Sequence, residues 1–466
     1  MKNDITETTD EESGETTTQI TYRTFTNNGT LDIAEGSTLK IDATLSNSSD
    51  ADVTLAKDAT LEVSGNISLD GSSKFTATNA TIENSKGSLS FGGTASASLT
   101  LNNSVLNTGS FSTGVWWEGK NDSYFEISNS TINASGNGTN WSDMKIIGES
   151  TINFNNATDE ETGEVTTYYE LANNGSLEIE SGSTLKIKGK LSNADEAVLN
   201  VNQGVTLEIG NEFWINGSSV VNINEASVKT GAGTYFAQEA NSVLNLKKST
   251  LETSAFVIGL WAQDKVDSTM NLASSSIYTA GDSTSWGTIN INETSSIVFG
   301  ETGRALFNRG TITIKSGQSL DISRVREEGG DDSYLCNYGT ITIEAAIDPE
   351  ALAAISVQNF VDDGNAGIII IDFSNITGMH ESQEYALISA NSLSVDSTEF
   401  KYTVDEITFK DIELGSQVED GNLFLELIQE GSEISYIYSM VPEPSTYAAI
   451  LAALSLALVC YKRRRI

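Results

Sequence analysis

The 466-residue chain carries 26 Lys and Arg against 64 Asp and Glu, a formal charge of −38. Such a surface repels nucleic acid and anionic lipid, whose counterions only a basic stripe would release, so nucleic-acid binding is set aside. Apolar residues make up only 38% of the chain, but Val, Ile and Leu alternate with polar residues at the period of half-buried strands, which predicts a folded β protein.

In chain order, residues 1–20 form an acidic, Thr-rich lead with no apolar run. It reads as disordered, and it is not a secretory signal peptide.

A tandem duplication follows. Asn27-Asn28-Gly29 and Gly36-Ser37-Thr38-Leu39-Lys40-Ile41 recur 146 positions later as Asn173-Asn174-Gly175 and Gly182-Ser183-Thr184-Leu185-Lys186-Ile187. Further on the offset is 145, so that Trp116 and Trp141 match Trp261 and Trp286. A third, partial echo starts at Asn308-Arg309-Gly310. Residues 21–166 read as the first copy, and residues 167–344 as the second copy with extra coils.

Each copy contains a shorter period. Leu31, Ile33, Leu39, Ile41 and Leu45 return 22 positions later as Val53, Leu55, Leu61, Val63 and Ile67. Leu177, Ile179, Leu185, Ile187 and Leu191 return as Leu199, Val201, Leu207, Ile209 and Phe213. Apolar pairs at i and i+2 share one face of a short strand, and the Gly, Asn, Asp and Ser between them form tight turns. This predicts a right-handed parallel β-helix, a β-solenoid with coils of about 22 residues whose apolar pairs line the interior. Later coils keep a polar corner before an inward aliphatic, as in Asn79-Ala80-Thr81-Ile82 and Asn129-Ser130-Thr131-Ile132.

Two groups of residues invite a functional reading. Trp116, Trp117, Trp141, Trp261 and Trp286 could stack on sugar rings if exposed, or fill wide coils if buried. Asp321, Arg324, Arg326, Glu327, Glu328, Asp331 and Asp332 concentrate acids beside arginine. Those are residue types a polysaccharide lyase uses as base and charge neutraliser, and equally those of a solvated loop.

Near Asp348-Pro349 the pattern changes. Asp as N-cap and Pro in the first turn predict a short helix through Ile355, and residues 345–440 read as a separate β-rich module covering the solenoid end. Asp362-Asp363-Gly364-Asn365 lacks EF-hand spacing and His380 is the only histidine, so no metal site and no cofactor are expected. Cys336 reads as a small buried residue, and Cys460 lies in the apolar tail.

The tail, residues 441–466, has three parts in order. Val441, Pro442, Glu443 and Pro444 precede an apolar run from Tyr447 to Tyr461, which predicts a single C-terminal membrane helix. Lys462, Arg463, Arg464 and Arg465 then form a basic cluster that the positive-inside rule places in the cytoplasm. Fifteen residues span about 22 Å as a helix, short for a permanent anchor.

This order resembles the PEP-CTERM sorting signal of Gram-negative bacteria. The resemblance implies passage through the inner membrane, cleavage near Pro-Glu-Pro by an exosortase-type membrane protease, and residence in the cell envelope, at the cell surface or outside the cell. Members of that family carry an N-terminal export signal. Met1-Lys2-Asn3-Asp4 does not resemble one, so a misplaced start or a truncated fragment is expected. The repeats resemble the passenger-like β-helices of bacterial adhesins and autotransporters. The sequence thus points to a non-enzymatic surface or matrix solenoid, with exopolysaccharide as a candidate partner. Its alternative is a surface-displayed carbohydrate-active β-helix enzyme, a lyase or glycosidase.

Overall fold

A computed structural model describes residues 4–9, 16–21, 24–92, 95–114, 122–158, 165–237, 241–260, 262, 264–325, 332–362, 367–377, 379–405 and 407–440. These residues are all-β, and most of their strands stack in parallel as solenoid coils, about 13 turns in total. Two compact units are present, Met1–Asn271 with Ser275–Ala280, and Leu272–Ser274 with Gly281–Ile466.

In the first unit a coil has three strands. Thr24–Asn27, Thr30–Ile33 and Thr38–Ile41 are followed by Thr44–Asn47, Asp52–Leu55 and Thr60–Val63. The 22-residue pairs are the partners across neighbouring coils: Leu31 lies beside Val53, Leu39 beside Leu61 and Leu45 beside Ile67. In the second copy Leu177 lies beside Leu199, Leu185 beside Leu207 and Leu191 beside Phe213. Val53, Leu61, Ile67, Leu177, Leu185 and Leu207 are fully buried. Period-two alternation and parallel stacking therefore place one aliphatic above another along each inner face.

The polar corners have a common construction. Asn79, Asn103 and Asn129 adopt φ values of 52, 49 and 47°, the left-handed conformation that asparagine tolerates. A buried serine follows two of them and bonds to the coil before. The Ala80 amide donates to Ser104 Oγ at 3.1 Å, and the Ser104 amide donates to Ser130 Oγ at 2.9 Å. These serines satisfy amides that the sharp turn would otherwise leave without partners. In the lead, Asp4–Thr9 and Thr16–Thr21 pair as an antiparallel two-stranded sheet.

In the second unit one inward column runs Ile289, Ile312, Ile341, Ile369, Phe400, all in parallel pairing. The ladders do not break at Ala345: Leu320 pairs with Ile355, and Leu335 with Phe360. The short helix expected after Asp348-Pro349 is absent. Asp348 Oδ1 accepts the Glu350 amide at 3.0 Å, the Ala351 amide donates to the Asp348 carbonyl at 3.1 Å, and the chain re-enters the ladder at Ile355–Val357. Asp and Pro are as suitable for a β-turn as for a helix start, and the waiting strand edge decides between them.

The unit ends by changing direction. His380–Ser389 pairs in parallel with Ile355–Val357 and antiparallel with Glu433–Met440, which in turn pairs with Leu423–Glu430. Tyr385, Tyr436, Tyr438 and Phe373 are buried together there. The Ala346 amide donates to Tyr436 Oη at 2.8 Å, and Tyr438 Oη donates to the Ala346 carbonyl at 2.9 Å. Cys336 is buried on Tyr334–Asn337. The predicted membrane helix, the sorting motif and the basic cluster lie outside the described residues. Among the described residues no helix is long and apolar enough to cross a membrane.

Candidate functional site: an asparagine-ordered corner

One corner recurs between the first and second strands of successive coils, and in several of them its innermost residue is a buried asparagine, whereas Leu69, Ile215 and Ser285 hold the place in others. Asn140 Nδ2 donates to Asn173 Oδ1 at 2.7 Å, and Asn173 Nδ2 donates to Asn193 Oδ1 at 2.6 Å. All three are fully buried. Their remaining donors reach backbone, as with Asn140 Nδ2 to the Ser176 carbonyl at 2.9 Å and Asn173 Nδ2 to the Val198 carbonyl at 3.2 Å. Asn27 to Asn47 repeats the arrangement at 3.1 Å in the first copy, and Asn308 to Asn337 at 2.8 Å in the second unit. Buried polar groups are tolerated when they find partners, and stacked asparagines supply one another with them where they adjoin.

The residue after each asparagine therefore points outward from a fixed origin. In the first unit this column contains Trp141 and Asn174. The Trp141 amide donates to Thr113 Oγ1 at 2.9 Å, and Thr113 Oγ1 donates to Asn140 Oδ1 at 2.8 Å. Two residues link the strands at Trp141-Ser142 and at Asn174-Gly175. Four link them at residues 194–197 and 216–219. The longer turns project, so Trp141, Asp195, Glu196, Gly217 and Ser218 surround a recess of about 710 Å³. Trp141 is half-buried, and Asp195 and Glu196 are exposed. Asp195 has φ 56° and Gly217 φ 63°. A Cβ on Gly217 would meet the Asp195 carbonyl oxygen at 2.7 Å, so only glycine lets these turns stack so closely.

Trp286 takes the equivalent corner position within the second unit, between Ser283–Ser285 and Thr288–Ile291, and has different neighbours. The Arg309 guanidinium lies 5.2 Å from its ring centre and 5.0 Å from that of Tyr338. Here three successive corners have two residues each, Trp286-Gly287, Arg309-Gly310 and Tyr338-Gly339, so their side chains stack without a step. The duplicated tryptophan faces a recess in one unit and an arginine in the other. Trp116, Trp117 and Trp261 lie outside the described residues. The sixth tryptophan, Trp214, was not singled out by the sequence pattern. It is half-buried on Phe213–Ile215, and its Nε1 donates to Glu212 at 3.0 Å. Burial pushes the Glu212 carboxyl up, but donors from Lys190 and Trp214 outweigh it and hold the group below its usual value.

The acid and arginine run near Asp321 gives a structural contact. Arg324 Nε donates to the Gly300 carbonyl at 3.2 Å, and its Nη2 to the Glu301 carbonyl at 2.6 Å. Asp321 is half-buried on Leu320–Arg324, and Asp332 is exposed. Arg326, Glu327, Glu328 and Asp331 lie outside the described residues, as do Asp363, Gly364 and Asn365. Among the described residues no group of three His, Cys, Asp or Glu side chains could hold a metal ion.

The outer faces carry ladders too. Asn107 donates to Glu83 at 2.6 Å, Asn133 to Asn107 at 2.7 Å and Asn153 to Asn133 at 2.7 Å. On another face Asn222 donates to Asn200 at 2.9 Å, Asn245 to Asn222 at 2.8 Å and Asn271 to Asn245 at 2.7 Å. The fold and these ladders define a parallel β-solenoid with polar, amide-lined faces. No protein-family model matches the sequence, and no curated protein matches it.

Proposed function

We propose that the chain is a non-enzymatic, exported cell-surface or extracellular-matrix solenoid, its coils wound right-handed and its body sorted through the PEP-CTERM-like tail. The observation that carries the scaffold part is the pair of outward asparagine ladders. Asparagine side chains bonded to their equivalents in the next coil form continuous amide tracks, one of which ends on Glu83, suited to an extended structural surface. Arg324, one of the two arginines of the lyase reading, is engaged with two backbone carbonyls, which favours the scaffold over the enzyme. Sorting rests on the tail alone. An inner-membrane exosortase would act on Val441–Pro444 while the arginines hold the other end in the cytoplasm.

The test is expression with an export signal in a host that has an exosortase. The body should be recovered from the surface or medium without the residues beyond the Pro442-Glu443-Pro444 region. Intact mass decides: a mature form retaining Lys462 to Ile466 marks an ordinary membrane anchor. Turnover of acidic polysaccharide that disappears when Arg324 and Arg326 become alanine would replace the scaffold reading with the enzyme.

A further inference from the structure

We propose that the recess beside Trp141 binds an uncharged hexopyranose glycan, one sugar ring stacking on the indole and its hydroxyls donating to Asp195 and Glu196. This extends the matrix reading by naming a ligand class, and it is independent of how the chain is sorted.

Three features of the recess carry the inference. Its aromatic wall is preorganised, because the Trp141 backbone is fixed through Thr113 to the buried asparagine ladder rather than left on a free loop. Its lining also includes Asp195 and Glu196, both exposed, whose carboxylates are available to accept hydrogen bonds. Its size, about 710 Å³, suits a sugar ring with part of its neighbours.

Charge selects among ligands. No Lys or Arg among the described residues lines the recess, and the molecule carries a net charge of −38, so uronate, sulfate and phosphate groups are repelled. An organic cation would gain from the carboxylates, but among the described residues one ring lines the recess, whereas quaternary ammonium groups are held by cages of several. A pyranose matches both the ring and the carboxylates. Its C–H face is apolar and its rim is rich in hydroxyl donors, which charged oxygens accept more strongly than neutral ones do.

The recess exists because of the duplication. Trp141 belongs to the end of the first copy, and the projecting turns belong to the start of the second. Trp286, at the matching place, meets Arg309 instead. That difference supplies an internal control.

The experiment is calorimetric titration of the purified chain with neutral gluco-, manno- and galacto-hexaoses, alongside oligogalacturonate and tetramethylammonium. We expect millimolar-range binding of at least one neutral hexaose, weakened about tenfold or more by Trp141→Ala, a loss of about 1.4 kcal/mol. Trp286→Ala should leave it unchanged. Glu196→Lys, at an exposed position that cannot unfold the coil, should weaken binding as well, which separates loss of the site from loss of the fold. The proposal is overturned if no neutral hexaose binds, if Trp141→Ala and Glu196→Lys bind as the parent does, or if the acidic sugar or the ammonium ion binds in preference. Each of those results leaves the sorting and scaffold readings standing.

Discussion

At the scale of single residues, the buried asparagines are the least replaceable polar groups described. Removing the Asn173 amide leaves Asn140 without its acceptor and Asn193 without its donor, both deep in the coil. Asn173→Ala should therefore cost about 2–4 kcal/mol in urea unfolding, since each stranded group carries its own desolvation penalty. Asn222→Ala, on an outer ladder within reach of water, should cost under about 1 kcal/mol. Equal costs would refute the distinction. The tyrosines of the antiparallel end give a pH prediction. Burial pushes the Tyr436 phenol up, and burial with the neighbouring Tyr385 pushes Tyr438 up. A raised folded value means that the stabilisation is complete below the unfolded value of about 10 and is lost as pH rises beyond it. The melting temperature should fall above about pH 10, and Tyr438→Phe should flatten that fall while lowering stability at neutral pH through the lost bond to Ala346.

At the scale of the coil, position within the stack matters as much as position within the repeat. Leu39 and Leu185 are equivalent by sequence, and the pattern assigns them equal burial. Leu185 lies between Ser150 and Leu207 and is 0% exposed, whereas Leu39, in the first described coil, has Leu61 on one side and is half-buried. Leu185→Asp should cost more than about 4 kcal/mol, because it buries a charge without a partner. Leu39→Asp should cost less than half as much, and melting curves of the two variants give the comparison directly. Corners obey a second rule, that some must have no side chain. A Cβ on Gly310 would sit 2.0 Å from the Gly287 carbonyl oxygen and 2.6 Å from the Trp286 backbone. Gly310→Ala should force the corner apart at a cost of about 1–3 kcal/mol and shift Trp286 fluorescence as Arg309 moves off the ring. Unchanged stability and emission would show that the corner tolerates the added atom.

At the scale of the whole molecule, the sequence by itself determined the all-β class, the duplication, the 22-residue step and which aliphatics stack. Those features depend on local alternation and on repetition, both visible along the chain. It also held the tail motif, whose meaning depends on linear order and needs no folded neighbour. Tertiary structure decided the rest. Asp348-Pro349 makes a turn rather than a helix because a strand edge lies within reach. The ladders run past residue 345 because Ile355 and Phe360 find inward partners there. Asn27, Asn173 and Asn308 were visible as repeated letters, but a buried amide and a surface amide look alike in a sequence. Only the stacking of coils shows which asparagines bond inward and which outward. The same holds for Trp141 and Trp286, matched by sequence and separated by their neighbours: a recess requires a longer turn on the adjoining coil, and which coil adjoins is a fact of folding.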